Sequence, residues 1–419
     1  MKLSPLRIIL LIAFVDLIGF GLIIPLQANY AERFGASGLT FGMLIGVYAA
    51  MQFLFNPILG RWSDRIGRRP VLLLSIAGSV VSHGLLGFAD LSDSLTLLFV
   101  ARTLDGITGA NVATAQAYIA DVTTPENRAK GMGLFGAAFG LGFVLGPALG
   151  AALVAIGRNV SGPQAGTAWP GFGAAGIALV ALVLVWRCLP ESLDRNARET
   201  QPARGFRFGR LWEATADPRL RELLTLMFSA TFAFVLLETT FVYLCVRQFD
   251  LTESGTGMLF AYIGMIMVVV QGGFVGKLVR RYGEARLISF APFITGAGFL
   301  LISGITFAES RSLAWVLLLV GCIPVATGHG LTGPSLNGLI SRQAASHRQG
   351  MTLGLSQGVG SLARALGPLL GGWLFDVGPA WPYWVGAGLY GVIGVYAVSI
   401  RAAQVKSLQR ISETGHSTS

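Results

Sequence analysis

Residues 60–70 read Gly60-Arg61-Trp62-Ser63-Asp64-Arg65-Ile66-Gly67-Arg68-Arg69-Pro70, wedged between two long apolar segments. Four arginines and an aspartate in so short a stretch make a poor solvated linker. Its glycines permit close backbone approach and unusual dihedrals. Pro70 suits the first turn of a following helix, where its missing N–H costs nothing. The stretch reads as a tight loop that locks two helix ends together on the cytoplasmic side of a membrane.

Composition extends that reading to the whole chain. A soluble protein carries roughly 25% charged residues; this one has 12%, with 53% hydrophobic. The deficit runs along the full 419 residues, so membrane segments make up most of the protein. The 56 glycines agree, because small residues let membrane helices pack closely. A net charge of +10 would suggest nucleic acid in a soluble chain, but here the basic residues sit in short loops and follow orientation rules, so no nucleic-acid partner is expected. Cys188, Cys245 and Cys322 form no CxxC pair, and neither a metal nor a cofactor is expected. Lys2 and Arg7 before an apolar run imitate a signal peptide. Asp16 within that run, and the lack of a small-residue cleavage site, mark a retained first helix instead.

Apolar spans of roughly 20 residues fall at about 6–28, 39–59, 70–89, 94–119, 130–156 and 168–189, then at about 219–246, 255–279, 285–307, 312–340, 350–375 and 381–402. The expected fold is all-α: a polytopic membrane protein of twelve helices in two six-helix bundles. The bundles take 1–189 and 219–402, joined by a cytoplasmic linker at 190–218 and followed by a cytoplasmic tail at 403–419. The linker is arginine-rich, with room for a short surface helix around Phe208 to Ala214. Of the 31 lysines and arginines, only Arg33, Arg158, Arg247 and Arg311 fall outside when the N-terminus is placed inside, and Arg102 and Arg364 lie within spans. Both termini are therefore expected in the cytoplasm.

The halves resemble one another. Gly276-Lys277-Leu278-Val279-Arg280-Arg281-Tyr282-Gly283 follows span eight as the opening motif follows span two. Leu145-Gly146-Pro147 with Gly150 is echoed by Leu366-Gly367-Pro368 with Gly371-Gly372, and Arg128-Ala129-Lys130-Gly131-Met132 by Arg348-Gln349-Gly350-Met351. A parallel six-plus-six repeat is characteristic of transporters that rock two bundles about a midplane site.

On these motifs, on Arg102-Thr103-Leu104-Asp105-Gly106-Ile107-Thr108-Gly109-Ala110-Asn111 running on to Asp121, and on Gly140-Leu141-Gly142-Phe143-Val144-Leu145-Gly146-Pro147, the chain resembles the major facilitator superfamily over nearly its full length. Within that superfamily it is similar to the twelve-helix drug:proton antiporters of the tetracycline-efflux type. Ala151 departs from the pattern, which usually has a second glycine there. The resemblance implies a monomer in a bacterial cytoplasmic membrane, working with protons, a small-molecule substrate and surrounding lipid.

Ionisable groups inside a bilayer are costly and are functional candidates by default. Asp16, Arg102, Asp105 and Glu238 are the candidates for proton coupling, with His83 and His329 as weaker additions. Asp16 lies near the midplane of span one; a permanent salt bridge to Arg102 is the plainer alternative. Arg102 and Asp105, three apart, share a helix face. Arg102 resembles the fourth-helix arginine that proton-coupled members carry, and Asp105 either neutralises it or alternates with Asp16 in binding it. Arg364 can hold an anionic substrate group or balance the charge of Glu238. Gln52, Asn111, Gln116, Glu238 and Arg364 are the candidates for substrate contact, with an apolar wall from Phe20, Tyr48, Phe139, Phe234, Phe241 and Tyr262.

Gly60, Asp64, Arg65, Gly67, Arg68, Arg69 and Asp121 form the candidate conformational latch. Asp64 can accept from N–H groups at a helix start, and the arginines can pair with Asp121 or with anionic headgroups. Gly142, Gly146, Pro147 and Gly150 line one face of span five as a close-contact surface. No GxxxxGK[ST] or HExxH run occurs, so neither ATP use nor enzymatic chemistry is expected. The expected activity is proton-coupled export of small hydrophobic compounds, tetracycline-like drugs leading. The alternative is a proton-coupled carrier of a sugar, organic acid or lipid-like metabolite.

Overall fold

The computed structural model describes residues 4–33, 35–109, 111–193, 217–343 and 349–416. Among them there are helices and no strands: α1 (Pro5–Arg33), α2 (Gly38–Ile66), α3 (Arg68–Leu91), α4 (Leu95–Thr108), α5 (Val112–Val122), α6 (Pro125–Ser161), α7 (Trp169–Cys188), α8 (Pro218–Phe249), α9 (Glu253–Val268), α10 (Gly276–Tyr282), α11 (Glu284–Ser303), α12 (Arg311–Gln343), α13 (Gln349–Val377) and α14 (Trp381–His416). Eight helical stretches among the described residues are long and apolar enough to cross a membrane.

Each expected span has a helical counterpart, and two of them are interrupted. Span four is α4 and α5 with a break between Thr108 and Val112. Span eight runs from α9 through a π-helical stretch, Val269–Val275, into α10. The expected helix at Phe208–Ala214 lies outside the described residues.

Helix starts follow local capping chemistry. Ser37 accepts the Thr40 N–H at 3.1 Å to begin α2, and Ser94 accepts the Leu97 N–H at 3.2 Å to begin α4. Pro125 stands first in α6, where an absent N–H costs nothing. The opening motif is mostly not a loop: Gly60 to Ile66 continue α2, and Arg68 begins α3. Gly67 alone separates the two helices, at φ +111°, which a side chain would strain. Gly283, at φ +77°, joins α10 to α11 in the same way. The internal repeat read in the sequence therefore extends to the backbone of these joints.

The chain folds as two compact units. The first comprises Met1–Arg207 with Phe241–Gly264 and Pro368–Gly372. In it α1 packs on α6 and α7, α3 on α4 and α7, and α2 on α4. The glycine stripe of α6 meets α1: a Cβ on Gly142 would stand 2.8 Å from Leu17 Cβ, and one on Gly146 2.5 Å from Gly21 Cα. Backbones this close need glycine at both positions. A Cβ on Gly257 would stand 2.8 Å from Ala151 Cβ and 3.2 Å from the Pro147 carbonyl oxygen, so the alanine that departs from the family pattern is accommodated by a glycine opposite.

The second unit comprises Phe208–Thr240, Met265–Gly367 and Trp373–Ser419. Its centre is α11, packed on α12 and α14. Tyr390 of α14 donates to the Ala230 carbonyl at 3.1 Å, and Thr240 Oγ1 donates to Tyr383 Oη at 3.3 Å, tying α8 to α14. Large apolar side chains such as Met258 and Val392 stand 74% and 67% exposed. Scattered over so many helices, such exposure suits hydrocarbon rather than water.

Candidate functional site

The first unit holds a buried charged cluster, built where span four breaks. Arg102 and Asp105 lie in the last two turns of α4, 2% and 3% exposed. Arg102 Nη1 donates to Asp105 Oδ2 at 3.0 Å. The other carboxylate oxygen accepts from Ser82 Oγ at 3.1 Å and lies 3.4 Å from His83 Nε2, both on α3. The Arg102 guanidinium carbon sits 4.4 Å above the Tyr48 ring of α2, a placement that favours a desolvated cation.

The break itself supports this arrangement. A helix end leaves carbonyls without intrahelical donors. Here Ser75 Oγ of α3 donates to the Thr108 carbonyl, and Gln52 Nε2 of α2 to the Gly109 carbonyl at 3.2 Å. Gln52 Nε2 also donates to Tyr48 Oη at 2.8 Å. Glycine is needed at 106 because α2 is so near, a Cβ there falling 2.5 Å from the Tyr48 carbonyl oxygen, and at 109 because a Cβ would fall 2.8 Å from the Asp105 carbonyl oxygen of α4 itself.

Of the expected coupling residues, Arg102 and Asp105 are thus together. Asp16 lies in α1, and its side chain is outside the described residues. Among the substrate candidates Gln52 joins the cluster. Asn111 is buried beside the break and lines a small recess with Ile12 of α1, Ile76 of α3 and Phe135 of α6. Gln116 is half-buried in α5.

Glu238 and Arg364 belong to the second unit. Glu238 is exposed on α8 between buried Leu237 and Thr239, and the favourable charge acting on it comes from Arg364. Arg364 lies back along α13 and donates to Ser361 Oγ at 3.3 Å. One turn before Glu238, the Phe234 ring stacks on His329 of α12 with centroids 3.6 Å apart. Tyr48 and Phe234 were expected as apolar wall; each instead lies against a guanidinium or an imidazole. Phe20 and Phe139 are outside the described side chains.

The α2–α3 joint gathers the latch residues around Arg68. Its guanidinium donates to Ser63 Oγ at 2.7 Å, Asp64 Oδ1 at 2.5 Å and Asp121 Oδ2 at 3.2 Å. The helix start is capped by Glu191, not by Asp64: its carboxylate accepts the Arg68 N–H at 2.9 Å and the Arg69 N–H at 3.3 Å. Ser192 Oγ donates to Asp121 at 3.0 Å, and Tyr118 Oη to the Pro190 carbonyl at 3.0 Å. The linker thus begins docked against α3 and α5. Arg69 donates to the Trp186 carbonyl at 2.5 Å rather than to Asp121, and Arg65 is exposed. Sequence reading missed Glu191 and Ser192, whose only signal is position just after span six. It also missed Ser82 and Asp90; the latter is 3% exposed and accepts from Thr167 Oγ1 at 2.6 Å.

A profile of the Major Facilitator Superfamily matches residues 9–368. The chain belongs to this superfamily. It is 31% identical over 402 residues to the class E tetracycline resistance protein of Escherichia coli, covering 91% of each chain. It is 30% identical over 392 residues to multidrug resistance protein 2 of Bacillus subtilis (strain 168), again covering 91% of each. Among solved structures, the human organic anion transporter MFSD10 (TETRAN) aligns with a TM-score of 0.68 and 26% identity, over 94% of this chain and 98% of that one. A bacterial homologue of the human lysosomal transporter Spinster, inward-facing and unoccupied, aligns with a TM-score of 0.69 at 17% identity and supports the fold alone. The protein is an integral membrane transporter of the major facilitator fold, a superfamily whose members carry small molecules.

Proposed function

We propose that the protein is a proton-coupled antiporter that exports small hydrophobic or amphiphilic compounds, tetracycline-like drugs among them, by alternating access. The observation that carries this reading is the Arg102–Asp105 pair, sealed inside a membrane span. A buried ion pair is weak evidence for stability, because desolvation opposes the Coulombic gain. Its presence is better explained by a charge that changes during transport. Asp16, Arg102, Asp105 and Glu238 carry the coupling in this reading. Gln52, Asn111 and Gln116 of the first unit, and Glu238 and Arg364 of the second, contact substrate.

The Arg68 network is the latch that steadies one state of the cycle, and the α6 glycine stripe is the surface on which α1 adjusts. The architecture behind the mechanism is two six-helix bundles, 1–189 and 219–402. The protein works as a monomer in a bacterial cytoplasmic membrane, with both termini inside and no cofactor. Likeness to tetracycline and multidrug resistance proteins supports export as its direction.

The test is expression in a pump-deficient bacterium challenged with a drug panel, with and without a protonophore, followed by inverted vesicles under an imposed pH gradient. Protection against tetracycline that the protonophore abolishes supports the proposal. Drug sensitivity unchanged across the panel rejects it.

A second reading, a proton-coupled carrier of an organic acid, is favoured by Arg364 within span eleven and by the likeness to an organic anion transporter. Gradient-driven accumulation of an organic anion, lost in Arg364→Gln, would select it.

A further inference from the structure

His83 is a member of the buried cluster to which no motif points. It is 2% exposed on α3, with Nε2 3.4 Å from Asp105 Oδ1. The opposite edge of the ring faces α1, where a Cβ on Gly19 would stand 3.5 Å from His83 Cε1 and 3.8 Å from Nδ1. Among the described residues Nδ1 has no hydrogen-bond partner. The imidazole therefore reaches from the carboxylate on α4 to the backbone of α1, one turn beyond Asp16. A Cβ at 19 would meet the ring at ordinary van der Waals distance, so the imidazole packs directly against this stretch of α1.

The carboxylate of Asp105 is divided between two basic groups. Oδ2 accepts from Arg102, and Oδ1 accepts from Ser82 and faces His83. We infer that His83 is the group whose protonation governs the Arg102–Asp105 pair. This rests on the proton-coupled reading and adds a residue and an order of charge states to it. With a neutral imidazole the charges of Arg102, Asp105 and His83 sum to zero. A proton taken up on the ring makes the sum +1, and two cations then share one carboxylate. That loosens the hold on Arg102, which keeps the Tyr48 ring as its other support. Loss of the proton restores the zero sum and the tight pair. The one bond formed and broken is an imidazole N–H.

Histidine suits the task, as its ordinary protonation range brackets neutral pH. Among the described residues, the charged and titratable groups facing His83 are Asp105 directly, and Arg102 and Tyr48 through it. Ser82 on α3, and Gly171 of α7 beside the His83 carbonyl, add no charge. Asp90, two turns on along α3, is engaged by Thr167.

The experiment uses the full-length protein labelled with ¹⁵N-histidine, whose four histidines are His83, His329, His347 and His416. Imidazole nitrogen resonances are followed from about pH 5 to about pH 9, and His83→Gln assigns the His83 signals. We expect the His83 resonances to respond to pH across this range, and Asp105→Asn to change that response while those of the other three histidines keep theirs. A His83 that remains neutral throughout, or whose response ignores Asp105→Asn, overturns the inference.

In vesicles with tetracycline as probe, His83→Gln is expected to flatten the pH dependence of gradient-driven transport without lowering thermal stability. A wild-type pH profile in this variant also overturns it. Wild-type vesicles that ignore the gradient would instead reject the antiporter reading, and the resonance arm would still decide the role of His83.

Discussion

Arg68 and Glu284 occupy the same place in the two halves of the sequence and carry opposite charges. Each opens a helix directly after a glycine of positive φ. Each reaches the far end of its half's fourth span: Arg68 Nε to Asp121 Oδ2 at 3.2 Å, and Glu284 Oε1 to Arg342 Nη2 at 3.2 Å. The ion pair is repeated with its polarity reversed. Gly338 preserves it in the second unit, since a Cβ there would lie 2.5 Å from Glu284 Oε1.

The two pairs differ in how much they hold. The Arg342 side chain is 74% exposed, whereas that of Arg68 is 9% exposed and serves three partners. Arg342→Gln should cost under about 1 kcal/mol, as exposed pairs do. Arg68→Gln leaves Asp64 and Asp121 facing each other without their cation and should cost about 2 kcal/mol or more. Thermal unfolding of the two purified variants, measured side by side, checks the order; equal shifts would refute it.

Glu191 is the cap of α3, so Glu191→Ala should expose two N–H groups of its first turn. The expected loss is about 1 kcal/mol, with slower transport and normal membrane insertion. Asp64→Asn, by contrast, removes one partner of Arg68 and leaves the cap in place. Its effect should fall on transport rate, with the unfolding midpoint nearly unmoved. Vesicle uptake and unfolding midpoints for both variants separate the two roles.

Breaking the buried pair by Asp105→Asn strands the Arg102 charge and should destabilise the protein by about 3–5 kcal/mol. Replacing both residues with apolar ones, Arg102→Met with Asp105→Leu, should recover most of that stability. Proton-driven transport should be absent in both. A double variant that still couples transport to the gradient would remove the pair from the mechanism.

Gly60 and Gly146 should respond oppositely to alanine. A Cβ at Gly60 meets nothing within 4 Å, so Gly60→Ala should stabilise α2 by up to about 1 kcal/mol. Gly146→Ala drives a methyl group into the α1 backbone and should lower the unfolding midpoint and stop transport. Should Gly60→Ala raise stability yet slow transport, the glycine is needed in another state of the cycle.

What the sequence disclosed follows from how local each signal was. Arg102 and Asp105 are three residues apart on one helix, so their pairing is visible in the spacing. His83 and Ser82 approach Asp105 from another helix, and no spacing rule brings α3 residues to an α4 carboxylate. In the sequence the arginine-rich run at 60–70 reads as a tight loop, because its charges and glycines separate two long apolar segments. In the structure its arginines decorate helix ends, and only Gly67 leaves the helical region. The glycine stripe of α6 was legible as a face, but its partner on α1 was not, because a stripe of small residues names no neighbour. The break at 109–111 depends on side chains from α2 and α3 that satisfy its carbonyls.

The wider winding at Val269–Val275 carries one further implication for span eight. A single surplus residue in a helix turns everything beyond it by about 100° about the axis. Lys277, Arg280 and Arg281 therefore point along a different azimuth from the one a regular helix would give them. Aligning Lys277 and Arg281 letter by letter with Arg61 and Arg65 misjudges which way they look. Deleting one residue from Val269–Val275 would bring the two sets of basic side chains back into phase.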